Sequence, residues 1–381
     1  MPTKYDVFAA IIEHAPCKAK DLPFNVRIYS HLKKLKEEKI IKESNGKLVP
    51  IANKETKYLF SVIKYSLKNG LDYNILLSKN MPLVIKELFV SVPNLRPKRL
   101  SGNKDNTFLM HYLEKHQFIL LTKNKPKKGI ILNHQLFNNI LALNNISVKI
   151  RTSKFSNVKD NVLRIKSDPL NPFDDKVFAF LSGSAQLEGS TVTIGETKEL
   201  IIQDIYPDKP KKDIQMVKNL NEAMHYVLDN IEKDITVDSI KQLNKLVLFS
   251  LHRNAGKFKK TENKIQGNPN FKTAQPSLVP SLMDKYCLKI NEVTDRNKII
   301  DIIGYSHNEL QRIHPFSDGN SRTTRMVLNW ILLKNHFPLL ILKMGCFDEY
   351  MVLTKLSKIR DDKRLTNLFH HLLLHESLVK N

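Results

Sequence analysis

The 381-residue chain has no apolar run approaching the length that spans a bilayer, so no helical membrane anchor is expected in it. Its first residues, MPTKYDVFAA, lack the basic-then-apolar pattern of a secretory leader. Cysteine is scarce, and Cys17, Cys287 and Cys346 are far apart. Without paired spacing, neither a disulfide framework nor a zinc knuckle is expected, and a reducing cytoplasm is the compartment that fits. No GxGxxG follows a strand and no GxxxxGKS/T occurs, which leaves a Rossmann or P-loop nucleotide site without support. Acidic residues are short as well, with 38 Asp/Glu against 61 Lys/Arg, a formal charge of +23.

What remains is the composition of an ordinary globular chain, 41% hydrophobic and 26% charged, with length for two or three domains. The basic excess is uneven: residues 1–150 hold 26 Lys/Arg against 11 Asp/Glu, and residues 151–381 hold 35 against 27. A front part at +15 attracts polyanions, nucleic acid being the usual one, or else it is a Lys-rich solvated surface.

The first fifty residues read as helix, short helix, longer helix and hairpin. Residues 5–13 form an amphipathic helix, and 26–39 place Ile28, Leu32 and Leu35 on one apolar face. Asn45-Gly46 between two apolar runs is a hairpin signal. A basic helix before a hairpin has the pattern of a winged helix-turn-helix, in which Arg27, His31, Lys33 and Lys34 would face duplex DNA. The same module is also used for protein contacts. Residues 55–67 look helical. A helix at 107–116 followed by strands at 118–121 and 130–132 would repeat the arrangement as a second wing. Three regions are expected: 1–55, 56–150 and 151–381.

From about 150 the pattern becomes helical, with apolar residues at helical spacing in 212–234, 236–252, 278–292, 295–313, 321–336 and 348–376. The polar stretch 253–277, with Gly256, Gly267, Pro269 and Pro276, interrupts it and is expected to be mostly non-helical. The fold class expected is mainly α, with one or two α+β winged modules in front.

The run HPFSDGNSRTTR, 314–325, carries the chemistry. Pro315 ends the preceding helix at His314, Ser317 to Asn320 make a turn, and Asn320 is expected to cap the helix that follows. A glycine turn feeding a helix start offers free N–H groups and the positive dipole end to an anion. Arg322 and Arg325, three apart, project from one side and can grip separate phosphates. Asp318 is a hard oxygen ligand for Mg²⁺, and His314 is placed as general base on an attacking hydroxyl. Singly, each of these has a bland structural reading; His307, for instance, is expected to pack or bond internally. In this order they make a phosphoryl- or nucleotidyl-transfer set.

That run resembles the Fic family motif HPFxxGNGRxxR. Ala255-Gly256-Lys257-Phe258, the tetrad Ile265, Gln266, Gly267 and Asn268, then Pro276 and residues 279–283 are similar to the family's flap and the helix after it. The likeness covers residues 175–375 and implies an all-α domain with a β-hairpin flap that pairs with the target segment. It implies that His314 deprotonates a Ser, Thr or Tyr hydroxyl for attack on the α-phosphate of ATP. It further implies Asp318 on Mg²⁺, Gly319, Asn320 and the following N–H groups on the phosphates, Arg322 on the β-phosphate, Arg325 on the γ-phosphate and Tyr350 beside the adenine. Ser321 stands where the family has glycine, and Lys358 stands near the place of an adenine-side asparagine.

Upstream, the hexad Ser184-Ala185-Gln186-Leu187-Glu188-Gly189 resembles the family's inhibitory motif, or is a helix end capped by Gly189. The resemblance implies that Glu188, on a helix at about 180–189, pairs with Arg325, occupies the γ-phosphate site and silences the enzyme. An autoinhibited AMP transferase acting on a protein, the chain itself included, is the expected function. A nucleotide-sensing regulator that binds DNA and a de-AMPylase are the alternatives, and a homodimer is a further expected partner state.

Overall fold

The computed structural model describes every residue except 96–103, 133–134, 149–154, 156, 266–267, 358 and 380–381. The chain divides into two compact units, residues 1–112 with 133–151, and residues 113–132 with 152–381.

The first unit opens with α1 (Lys4–His14), begun by a capping box between Thr3 and Asp6, then a single 3-10 turn and α2 (Tyr29–Glu37). The hairpin β1 (Ile41–Ser44) and β2 (Lys47–Pro50) follows. Its turn is where Asn-Gly predicts it, with Asn45 and Gly46 both at positive φ, 50° and 70°. Leu48 also exchanges backbone hydrogen bonds with Cys17, adding a third short segment beside the hairpin. Next come α3 (Lys54–Lys68), α4 (Tyr73–Leu76), α5 (Met81–Ser91), α6 (Lys104–Lys115) and, after the strands below, α7 (Gln135–Leu143). Helix α7 packs on α3 and α5. Lys33 and Lys34 are exposed on α2, Arg27 is exposed just before it, and His31 is half-buried.

The hairpin β3 (Ile119–Asn124) and β4 (Lys127–Ile131) clusters with the second unit, so residues 56–150 are not one module as the sequence suggested. Strand β3 is apolar at Ile119, Leu120 and Leu121, and it buries them against a C-terminal helix, α17 (Asp362–Leu378). The Leu121 N–H donates to His375 Nδ1 at 3.0 Å, which fixes that pairing.

The rest of the second unit is helical: α8 (Lys159–Leu163), α9 (Asp175–Gln186), α10 (Ile194–Gln203), α11 (Lys211–Asp229), α12 (Val237–Val247), α13 (Val279–Asn291), α14 (Arg296–Ile313), α15 (Asn320–Lys334) and α16 (Phe347–Leu353), then α17. Helix α15 is buried from Asn320 to Leu333 and packs against α9, α11, α12 and α14. An all-round buried helix is a core helix, and everything on its first turn is thereby held still. Gly304 lets α14 and α17 touch: a Cβ there would lie 2.3 Å from the Asp362 carbonyl oxygen. No described helix is long and apolar enough to cross a membrane.

Two expectations fail here. The stretch 348–376 is not one helix. It breaks at Thr354, whose Oγ1 donates to the Tyr350 carbonyl, and restarts where Asp361 caps the Arg364 N–H at 2.9 Å. The expected β-hairpin flap forms no strand ladder among the described residues of 253–277, and Gln266 and Gly267 lie outside those residues. Asparagine side chains hold the segment instead. Asn263 Nδ2 donates to the carbonyls of Phe316 and Ser317, and Asn268 Nδ2 to those of Lys355 and Ser357. Pro269, which has no N–H, could not have served a ladder.

Candidate functional site

Helix α14 stops at His314, which takes a left-handed conformation at φ 49°, and its N–H closes on the Leu310 carbonyl. The imidazole is buried, and its Nδ1 is 3.2 Å from the Gln311 carbonyl oxygen. A carbonyl only accepts, so Nδ1 carries the proton and Nε2 presents its lone pair. Burial pushes the His314 pKa down to about 4, the Gln311 hydrogen bond opposes this, and Lys259 and Lys355 add to it. The ring is therefore neutral near pH 7, the state a general base needs.

The turn after it differs from the expected cap. Asn320 spends its side chain across the turn, accepting from the Phe316 N–H at 2.9 Å and donating to the Phe316 carbonyl at 2.7 Å. Gly319, at φ 74°, is the N-cap, and no side chain caps α15. The first N–H groups of the helix are thus left to an external acceptor. Asp318 Oδ1 accepts from the Gly319 N–H and lies 3.5 Å from Arg322 Nη2. Arg322 is buried, yet its Nε and Nη1 have no partner. Buried unpaired guanidinium donors are costly and mark a place for an anion.

Arg325, one turn on, is fully engaged. Its Nε donates to Ser184 Oγ at 2.8 Å, and its Nη2 to the Ser184 carbonyl and to Glu188 Oε1, both at 2.9 Å. Helix α9 ends at Gln186 with Leu187 as its C-cap, so Glu188 and Gly189, the latter at φ 93°, lie in the turn after it. Burial alone would raise the Glu188 carboxyl, but Arg325, Lys355 and Arg322 outweigh it and hold it below the usual carboxylate range.

A cavity of about 390 Å³ is lined by Glu188, Asn263, Lys264, Ile265, His314, Ser317 to Ser321, Met351 and Lys355, while Arg322 and Arg325 are buried and are not among its lining residues. His314, Asp318, Gly319, Asn320, Ser321, Glu188 and Ile265 are brought together as the sequence suggested. Asn268 donates to the carbonyl of the cavity residue Lys355, in the loop after α16. Ser321 lies in the first turn of α15, where serine needs no unusual backbone. Tyr350 is not among the residues that line this cavity. It is buried behind the wall with its hydroxyl 2.7 Å from His307 Nε2, and Met351 takes the cavity side. Arg325 can only donate, so the phenol oxygen accepts from it and the phenol O–H is left to donate to His307 Nε2, whose pKa burial drives down to about 3.

Three further residues escaped sequence reasoning. Asn244, fully buried on α12, donates to the Asp318 carbonyl and to Thr323 Oγ1, both at 3.1 Å, and accepts from the Gly256 N–H at 2.9 Å. It ties the anion turn to the start of the flap, and a polar residue in the apolar stripe of Ile240, Leu243 and Val247 was its only signal. Lys355 lines the cavity with no hydrogen bond or ion pair from its ammonium among the described residues. Burial lowers its pKa against the opposing pull of Glu188. Lys259 is buried at the flap base, donating through Nζ to Thr273 Oγ1 and through its N–H to the Pro315 carbonyl. Its pKa falls to about 8 through burial.

As for a metal, the described residues hold no group of three or more His, Cys, Asp or Glu that could cage one. Asp318, half-exposed at the cavity, suits an ion that keeps its waters and shares phosphate oxygens, as Mg²⁺ does.

Residues 234–332, which carry this turn and the buried helix it opens, match the Fic/DOC family. The chain thus carries a Fic/DOC family domain. It is 26% identical over 191 residues to the protein adenylyltransferase fic-1 of Caenorhabditis briggsae, covering 48% of this chain and 37% of that protein. It is 28% identical over 179 residues to the protein adenylyltransferase Fic of Nematostella vectensis, covering 45% and 41%. The match therefore spans about two fifths of those relatives' length. Among solved structures, a segment of Fic-1 from C. elegans has a similar fold, with a TM-score of 0.51 at 15% identity, over 84% of this chain and 96% of that one.

Proposed function

We propose that this chain transfers AMP from ATP to a Ser, Thr or Tyr hydroxyl of a protein, itself included, and that Glu188 holds the reaction off. The observation that carries the reading is a neutral, buried His314 facing an uncapped helix start beside the unpaired donors of Arg322. The name protein adenylyltransferase borne by its relatives supports it.

His314 Nε2 takes the proton of the target hydroxyl as its oxygen bonds to the α-phosphorus. The bond from that phosphorus to the bridging oxygen breaks, and pyrophosphate leaves. The N–H groups at Asn320 and Ser321 and the Arg322 guanidinium hold phosphate oxygens, and Arg325 would hold the last phosphate once Glu188 releases it. Mg²⁺ on Asp318 would neutralise phosphate charge. While Glu188 stays on Arg325, the nucleotide cannot seat productively. The same carboxylate could instead hold a water for the reverse reaction, removal of AMP.

The test is label transfer. With α-labelled ATP and Mg²⁺, Glu188→Gly is expected to raise protein labelling at least tenfold, and His314→Ala in that background to abolish it; γ-labelled ATP should label nothing. Label from γ-labelled ATP, or none from either, would sink the reading. Loss of AMP from a pre-labelled protein, dependent on Glu188, would point to the reverse direction.

A second role rests on residues 1–150. The exposed Lys33 and Lys34 beside a wing-like hairpin favour duplex DNA as a partner. Binding that weakens steeply between about 50 and 200 mM salt is expected, and no binding at low salt would remove it.

A further inference from the structure

The segment 253–277 leaves and returns at His314: the Lys259 N–H bonds the Pro315 carbonyl, and the Ala274 N–H bonds the Arg312 carbonyl. A hydroxyl that reaches His314 enters a cavity of which this segment forms one wall, through Asn263, Lys264 and Ile265. Its charge is one-sided, with Arg253, Lys257, Lys259, Lys260, Lys264 and Lys272 against Glu262 alone. Lys259 is turned inward; the other five cations are exposed, and none of them is in an ion pair within the described residues.

The nucleotide does not account for them. On the transferase reading its phosphates would be met by the helix start, Arg322, Lys355 and a released Arg325, and only Lys264 of the five lines the cavity. The outer four lie exposed on the same segment as that wall, and Lys272 lines a separate cavity beside Arg312 and Arg360.

We propose that the segment carrying the acceptor hydroxyl is acidic, with Asp or Glu on one or both sides of the modified residue. This rests on the transferase reading and narrows its substrate. Each exposed pair is weak, on the order of 0.2–1 kcal/mol. Several acting together steer encounter and set the register, so the effect belongs in KM and salt dependence rather than in kcat.

The test uses the full chain carrying Glu188→Gly and three synthetic peptides with one central Thr flanked by Glu, by Gln or by Lys. A parallel set is built on Tyr. Transfer from α-labelled ATP is expected to favour the Glu-flanked peptide at least tenfold in kcat/KM, and to lose that preference near 0.5 M salt. Replacing Lys257, Lys260 and Lys272 together by Glu should raise KM for that peptide tenfold, leave KM for ATP unchanged, and favour the Lys-flanked peptide. Equal use of all three peptides overturns the proposal and leaves the transferase reading intact. So does self-labelling with no peptide labelled, or labelling of an RNA oligonucleotide in preference to peptides. No label anywhere overturns both.

Discussion

At the scale of single residues, the site is set by where each side chain spends its hydrogen bonds. Asn320 gives both of its groups to Phe316 and so shapes the turn without blocking the helix start. Asn244 is the more exposed weakness, because one buried amide holds the Asp318 carbonyl, Thr323 and Gly256 at once. Asn244→Leu keeps the volume and removes three hydrogen bonds, leaving the Gly256 N–H without its acceptor. A loss of about 2–3 kcal/mol is expected, which for a unit of this size is a Tm fall of about 5–10 °C. In the Glu188→Gly background it should also raise KM for ATP several-fold, since the phosphate turn is no longer fixed. An unchanged KM with a lowered Tm would make Asn244 a packing residue only.

At the scale of elements, α9 and α15 form the regulatory pair, and Ser184 is the hinge of their contact. Two of the three hydrogen bonds that Arg325 makes to the end of α9 go to Ser184, so the guanidinium is aimed before Glu188 reaches it. Ser184→Ala deletes the Oγ acceptor and keeps the carbonyl. The expected result is partial release: labelling several-fold above the starting chain and below that of Glu188→Gly, measured side by side with α-labelled ATP. Labelling no higher than in the unaltered chain would remove Ser184 from the restraint. How legible these elements were depended on local chemistry. The Asn45-Gly46 turn, the long amphipathic helices and the order His314, Asp318, Arg322, Arg325 could be read directly, because spacing along one helix is spacing in space. Helix α5 could not, since MPLVIKELFVS is apolar nearly all round and has no period to find. Among the described residues the flap has no ladder of its own, because its bonds run to other segments: asparagine side chains to residues 316–317 and to Lys355 and Ser357 after α16, and backbone N–H groups to Pro315 and Arg312. The break after Thr354 carries neither Gly nor Pro to announce it. Asn244 and Lys355 come from segments far from the motif, and only the fold places them at the cavity.

At the scale of the whole molecule, buried neutral histidines tie stability to pH. His116 and His307 are driven to about 3, and His314 and His375 to about 4, in each case first by burial. His375 shows the geometry most plainly. Its Nδ1 accepts from the Leu121 N–H at 3.0 Å, so Nε2 must donate to the Glu114 carbonyl at 3.0 Å, and a second proton would break the link between α17 and β3. All four are second-unit residues with folded pKa values below the unfolded value of about 6.5. Well above pH 6.5 neither state is protonated and the stability is fully present. As the pH falls through 6.5 the unfolded chain takes up protons that the folded chain refuses, and stability falls until the folded values near 3–4 are reached. At pH 5.5 each histidine costs on the order of 1 kcal/mol. Salt-bridged carboxylates such as Glu188 and Glu376 are held low and respond only at more acid pH. Thermal unfolding of the second unit should therefore drop by about 10 °C between pH 7.5 and 5.5. His375→Gln lowers Tm at pH 7.5 but removes one titrating group, so its slope over that range should be shallower by about a quarter. A Tm that stays level from pH 7.5 to 5.5, or a variant with the parent's slope, would contradict the assignment.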